Sequence, residues 1–219
     1  EELRKVRGGS WGQGVKIPAL RGNVIFAGTG NQGVRFTLTS NWIKIADTRP
    51  ADPLPELILR YLRGYGPATV ADFAYWTGLT VGYCKEGFKR VEDRVCKIDV
   101  PGSSKVYYDA SSSVEEAAIP KVAILPKFDA LVLGYRDKTR VLAEADRTRV
   151  FRPAAQVEAL ILIDGRIRAT WRLKASTHDI HFSIEAFGRI PKATRNHVED
   201  AFGPLAVFLQ RDAYSVSYA

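Results

Sequence analysis

The sequence predicts an α+β fold: short helices closed by a two-stranded hairpin, then a β-rich domain with a terminal helix. Three observations carry this. Between Leu54 and Val91 three apolar-periodic segments follow one another, each bounded by capping or breaking residues. Cys96 to Val100 then alternates apolar and polar residues and turns at Pro101-Gly102. Beyond Pro120 the apolar runs are strand-sized, and Asp164-Gly165 joins two of them, a strong two-residue hairpin signal.

Taken in order, residues 1–20 are basic and glycine-rich, with Gly8-Gly9 and Gly12-Gln13-Gly14, and read as irregular or as the frayed tail of a helix. Asn23 to Ala27 and Val34 to Thr39 flank a glycine-rich loop, the pattern of a β-hairpin. Asp47 to Pro55 holds Pro50, Pro53 and Pro55 and reads as a linker. Leu54, Leu57, Ile58, Tyr61 and Leu62 form one apolar helical stripe, ended by Gly64 and Gly66-Pro67. Thr69 suits the N-cap of a second helix, with Val70, Phe73, Ala74 and Thr77 on one side and Gly78 as its stop. Thr80 caps a third, with Val81, Cys84, Phe88 and Val91 facing inward. The hairpin follows, its Pro-Gly pair suited to a type II turn, and Lys105 to Tyr108 returns. Three short helices and a two-stranded wing are the order of a winged-helix domain, a helix-turn-helix variant.

Asp109 to Pro120 is a Ser/Glu/Ala linker. Strands are expected at Val122 to Leu125, Ala130 to Leu133, Val157 to Ile163, Ile167 to Leu173 and Ile180 to Ala186. A helix from about Lys192 to Arg211, interrupted near Gly203-Pro204, closes the chain.

The 219 residues carry 32 Lys and Arg against 24 Asp and Glu, a net charge of +8. That excess favours polyanionic partners, nucleic acid first and an anionic membrane second. The same charge is also what keeps an ordinary globular protein in solution. No apolar run approaches the roughly 20 residues of a membrane-spanning helix; the longest is Ala159 to Ile163. No signal-peptide pattern opens the chain. The two cysteines, Cys84 and Cys96, sit at apolar-periodic positions and read as buried free thiols in a reducing cytoplasm. The chain starts Glu1-Glu2-Leu3 and holds no methionine, which reads as a processed, truncated or partly represented chain.

Gly28-Thr29-Gly30-Asn31-Gln32-Gly33 matches G-x-G-x-x-G by letters. A dinucleotide site needs a helix after it. Val34 to Thr39 alternates as a strand instead, so a hairpin tip is expected, one whose bare backbone could approach a phosphate closely. The three histidines include His178 and His181, three apart and so on opposite faces of a strand; with His197 and no paired cysteines, no metal site is expected, and no cofactor. No nucleophilic triad has a local signature here.

The third helix is the functional candidate. Lys85 and Lys89 share a face, Arg90 and Arg94 follow, and Lys97 and Lys105 lie on the wing. In a helix-turn-helix such charges meet phosphates and base edges. The bland counterpart is a solvated face with Glu86 and Arg90 paired.

Several strings resemble one family. Tyr61-Leu62-Arg63-Gly64-Tyr65-Gly66-Pro67-Ala68-Thr69, Asp72-Phe73-Ala74 and Trp76-Thr77-Gly78 come first. Leu125-Pro126-Lys127-Phe128-Asp129-Ala130-Leu131 with Gly134-Tyr135-Arg136-Asp137-Lys138 follows. Leu162-Ile163-Asp164-Gly165-Arg166-Ile167 with Thr170-Trp171-Arg172 completes the set. In family order, these resemble the motifs of the winged-helix DNA glycosylases of the AlkZ/YcaQ type. The resemblance implies tandem winged-helix modules and a C-terminal β-rich domain. Residues 1–46 would be the remnant of a preceding module with its wing hairpin, 53–109 a winged-helix domain and 121–219 the C-terminal α+β domain. It also implies excision of bulky alkylated or crosslinked bases from double-stranded DNA.

Enzymes of this family use a Gln-apolar-Gln or Gln-apolar-Asp motif near the N-terminus to position the attacking water. The glutamines here are Gln13, Gln32, Gln156 and Gln210, and none falls in that motif. Gln156-Val157-Glu158 is similar by letters but lies on a C-terminal strand and reads as structural. The motif's place would precede Glu1, and the catalytic residues stay unassigned. A cytoplasmic, monomeric DNA-binding protein is expected, acting without metal or cofactor. The alternatives are a non-catalytic DNA-binding module such as a transcription regulator, which would prefer one sequence and dimerise, and a scaffold that binds protein. No heptad marks a dimerisation helix.

Overall fold

The computed structural model describes residues 13–30, 33–44, 50–110, 118, 120–176, 179–211 and 213–219. The expectations for Gly8-Gly9, Asn31-Gln32, Asp47 to Arg49, His178 and most of the Asp109 to Pro120 linker lie outside the described residues. The chain divides into two compact units, Glu1–Ala51 and Asp52–Ala219.

In the first unit, α1 (Gln13–Leu20) precedes a hairpin of β1 (Val24–Gly30) and β2 (Gly33–Leu38), and α2 (Thr39–Trp42) closes it. Residues 13–20 are thus helical where an irregular or frayed segment was expected. Gly22 at φ +73 ends the helix in the left-handed conformation, with Arg21 N–H donating to Ile17 O at 3.0 Å. That closure outweighs Gly14 and Pro18 within the segment. The hairpin pairs Val24 with Leu38 and Phe26 with Phe36, and its register shifts between Phe26 and Thr29. A strand follows the glycine run, so no helix N-terminus is there to face a pyrophosphate.

The second unit opens with α3 (Pro53–Tyr65). Pro53 and Pro55, expected in a linker, occupy its first turn, where a missing N–H costs no helical bond. Asp52 caps it by accepting from Leu54 N–H at 3.3 Å. α4 (Val70–Thr77) starts at a capping box in which Thr69 and Asp72 each accept from the other's backbone N–H, and ends at Gly78, φ +74. Thr80 caps α5 (Val81–Lys89). A 3-10 turn at Glu92–Arg94 leads into β3 (Cys96–Ile98) and β4 (Tyr107–Asp109), paired from Cys96–Asp109 to Ile98–Tyr107. Gly102 at φ +77 and the 3.0 Å bond from Ser103 N–H to Val100 O form the expected type II turn.

The helices and hairpin share one core of Leu54, Ile58, Tyr61, Leu62, Phe73, Cys84, Phe88 and Val91. Two inward assignments fail. Cys96 is exposed, because Val95 and Tyr108 supply the apolar contacts of this short hairpin. Val81, in the first turn of α5, is 42% exposed.

A mixed sheet of order β11-β10-β9-β8-β5 follows. Its strands are β5 (Val122–Leu125), β8 (Ala159–Ile163), β9 (Arg166–Ala175), β10 (Asp179–Ala186) and β11 (Ala213–Tyr218). Between β5 and β8 lie α6 (Ala130–Leu133), a 3-10 turn at Glu144–Asp146, α7 (Arg147–Val150) and the small hairpin β6 (Phe151–Arg152) and β7 (Gln156–Val157). Asp164 and Gly165 both take positive φ, as a two-residue type I′ hairpin requires. α6 replaces the strand expected at 130–133: Asp129 accepts from Leu131 N–H at 2.8 Å and nucleates a turn instead.

The expected closing helix is two helices, α8 (Lys192–Ala201) and α9 (Gly203–Phe208), and its end gives way to β11, parallel to β10. Alternation along β8 divides the sheet's faces. Ala159 and Ile161 join Val198, Phe202 and Ala206 of the closing helices. Leu160 and Leu162 pack with Val132, Leu142 and Val150. His181 places its ring nitrogens 2.8 and 2.9 Å from the Ser215 and Ser217 hydroxyls, tying β10 to β11.

Within this unit the helices are bonded to the segment that follows α6. Tyr61 Oη donates to Gly134 O at 2.8 Å, and Tyr135 Oη to Tyr65 O at 2.8 Å. No helix among the described residues is long and apolar enough to cross a membrane.

Candidate nucleic-acid interface

α5 is fixed by its buried side. Cys84 and Phe88 enter the core, and Gly87 lies against α3 so closely that an added Cβ would fall 2.6 Å from the Leu54 side chain. Lys85 and Lys89 lie on the side of α5 that faces the hairpin. There a groove of about 500 Å³ opens between the start of α4, α5 and β4. Val70, Val81, Phe88, Val106 and Tyr108 give it apolar walls, and Lys85, Lys89 and Lys105 line it as well.

Of the six cations singled out in the sequence, these three meet at one groove. Lys85 makes no ion pair among the described residues. Lys89 donates to Glu86 at 2.9 Å, and this bond pushes its pKa up. Lys105 binds Asp137 on the segment after α6. That contact, with bonds from the Thr139 hydroxyl and N–H, holds the Asp137 carboxyl well below the usual range.

Lys97 pairs with Glu92, another groove residue, and so sits beside the groove. Arg90 and Arg94 go elsewhere. Arg90 folds back onto Asp52 at the start of α3, and Arg94 lies within the electrostatic reach of Glu56. The expected Glu86–Arg90 pair does not form; Glu86 takes Lys89, one residue nearer. The Lys89, Arg90 and Lys97 pairs are solvent-exposed and worth little to stability, about 0–1 kcal/mol each.

A second charged cluster was not singled out in the sequence. Glu158, at the start of β8, is buried and accepts from Arg172 at 2.8 Å, with Lys127 and Arg152 each 3.6 Å away. Burial pushes its pKa up, but the Arg172 bond and the surrounding cations outweigh burial and hold it below the ordinary value. Gln156, by contrast, is exposed on β7. Pairing across β8 and β9 makes the cluster: Ala159 faces Trp171, so Glu158 and Arg172 become neighbours. Only the density of basic residues from Lys127 to Arg172 hinted at it.

The family model for AlkZ-like DNA glycosylases matches residues 4–208. An interstrand DNA cross-link repair glycosylase of Streptomyces sahachiroi is 28% identical over 174 residues, 74% of this chain and 46% of the relative. The solved structure of Streptomyces sahachiroi DNA glycosylase AlkZ has a TM-score of 0.77 at 23% identity, covering 96% of this chain and 58% of that one. The structural likeness speaks to fold, and the chain spans about half the length of the relative it matches in sequence. A family match across nearly the whole chain settles the identity: this chain belongs to the AlkZ-like DNA glycosylase family.

Proposed function

We propose that this chain binds duplex DNA as part of a winged-helix DNA glycosylase that excises bulky alkylated or crosslinked bases. α3, α4 and α5 act as the helices of a winged-helix module at 53–109, and the β3–β4 hairpin as its wing. Residues 1–46 act as the remnant of a preceding module, and 121–219 as the C-terminal α+β domain. α5 enters the major groove, and the wing tracks the phosphate backbone. The convergence of Lys85, Lys89 and Lys105 on one groove carries this reading.

Lys85 has no ionic partner among the described residues, and the Lys89 partner, Glu86, is a surface carboxylate that a phosphate displaces at little cost. Lys97 adds a contact at the rim. Arg90 and Arg94 support the helix rather than the interface. The protein works as a cytoplasmic monomer without metal or cofactor. Hydrolysis of the N-glycosidic bond is proposed for the whole protein, since none of this chain's glutamines forms the family's water-holding pair.

Base release from alkylated and crosslinked duplexes by the full-length gene product, with this chain in parallel and with EDTA present, tests the reading. Release by the full-length protein is the expected result. No release by either, despite salt-sensitive binding, would leave a DNA-binding module and overturn the glycosylase assignment.

A further inference from the structure

Phe128 adopts φ +59 and is 46% exposed. In this left-handed region a Cβ crowds the following carbonyl oxygen, which is why glycine usually occupies it. Packing offers no compensation, because Phe128 belongs to none of the three apolar clusters. The residues around it impose the conformation. Leu125 O accepts the Trp171 indole N–H at 2.9 Å, and Asp129 caps α6. The loop between these anchors is pinned, with its aromatic ring open to solvent. An outlier that the surroundings hold in place, on an exposed ring, is a reason to look for a partner.

The Glu158 cluster lies beside it, through Lys127. Arg152 is shared between Glu158 and Glu185, 3.7 Å away, so Lys127 and Arg172 face the single Glu158 carboxylate and leave positive charge in excess. Arg172 and Lys127 keep 62% and 53% of their side chains exposed. Glu158 Oε2 and Arg152 Nε are buried without a hydrogen-bond partner, which marks the network as incomplete. Glu158 orients the cations without cancelling them. A planar apolar face next to an excess of cations matches a nucleobase with its flanking phosphates.

We propose that Phe128 stacks on an unstacked nucleobase while Lys127 and Arg172 hold the adjacent phosphates, a second DNA contact distinct from the Lys85–Lys89–Lys105 groove. This rests on the DNA-binding reading above. The contact favours DNA whose stack is already broken, because an intact duplex must first be opened to offer a base face.

The test compares an intact duplex with one carrying a tetrahydrofuran abasic analogue beside 2-aminopurine, both titrated with the full chain. The wild type should prefer the abasic duplex by about tenfold, within the range that base–aromatic stacking supplies, and change the 2-aminopurine emission. Phe128→Gly should lose the preference and the emission change, yet keep its affinity for intact duplex and its thermal stability, because glycine takes φ +59 freely. Phe128→Trp should restore both signals. Lys127→Gln should make the salt dependence shallower by about one phosphate contact. A Phe128→Gly protein that matches the wild type on the abasic duplex overturns the proposal, as does one weakened equally on both duplexes. Wild-type binding to an acidic peptide in place of either duplex at low salt would overturn the DNA reading itself.

Discussion

The Asp72 carboxylate accepts the Arg136 backbone N–H at 2.8 Å across 64 positions of sequence. Its other oxygen takes the Thr69 N–H at 3.0 Å and the Thr69 hydroxyl at 2.7 Å. One buried side chain thus caps α4 and anchors the segment that supplies Asp137 to Lys105. Asp72→Ala should cost about 2–4 kcal/mol, the sum of a lost cap and buried donors left unpaired. Asp72→Asn keeps one accepting oxygen and should lose less. Urea unfolding of the two variants checks the order.

Two glycines of α5 should respond in opposite directions. Gly82 has nothing within 4 Å of an added Cβ, so Gly82→Ala should stabilise by about 0.5–1 kcal/mol through helix propensity. Gly87→Ala would press on Leu54 and Ile58 at 2.6 and 2.7 Å and should cost about 1–3 kcal/mol. Thermal melts report the sign. Duplex affinity of the Gly87 variant should fall as well, since α5 would be pushed away from α3.

Acid should weaken the fold through Asp137 and Glu158, whose folded pKa values lie below their ordinary ones. Unfolded carboxyls titrate at about 3.9 for Asp and 4.3 for Glu. Below those values the unfolded chain binds more protons than the folded one, so stability falls with pH. The stabilisation is complete above about pH 5 and is lost as pH drops through the folded values. Asp137→Asn and Glu158→Gln should each flatten the slope of stability against pH below about 5, measured by denaturant unfolding across that range.

Much of this fold is readable from local chemistry. Thr69 with Asp72, Thr80, Gly78, Pro101-Gly102 and Asp164-Gly165 each dictate their turn or cap through their own side chain or backbone freedom. Misreadings arose where a distant contact decides. Ala130–Leu133 is apolar enough for a strand, but the Asp129 cap winds it into a turn of helix. β11 is legible only with β10 beside it, since Tyr214, Val216 and Tyr218 alternate in a segment that also continues a helical stretch. Cys96 follows the period of its strand, but a three-residue strand has no second layer to bury it.

The groove beside α5 is half legible for the same reason. Lys85 and Lys89 share a helix face by spacing alone. Bringing Lys105 to them needs the hairpin, and diverting Arg90 needs Asp52, which is 38 positions away. Lys127, Glu158 and Arg172 meet only through strand register, which no local pattern records.

On the proposed reading, the groove between α5 and the hairpin holds DNA phosphates. The most direct test is the salt dependence of duplex affinity for Lys85→Gln/Lys89→Gln against wild type, with thermal stability as the folding control. Log affinity against log salt should become shallower by roughly two, about one per lysine, with an unchanged melting temperature. An unchanged slope and affinity in the folded double variant would contradict it and move the interface away from α5.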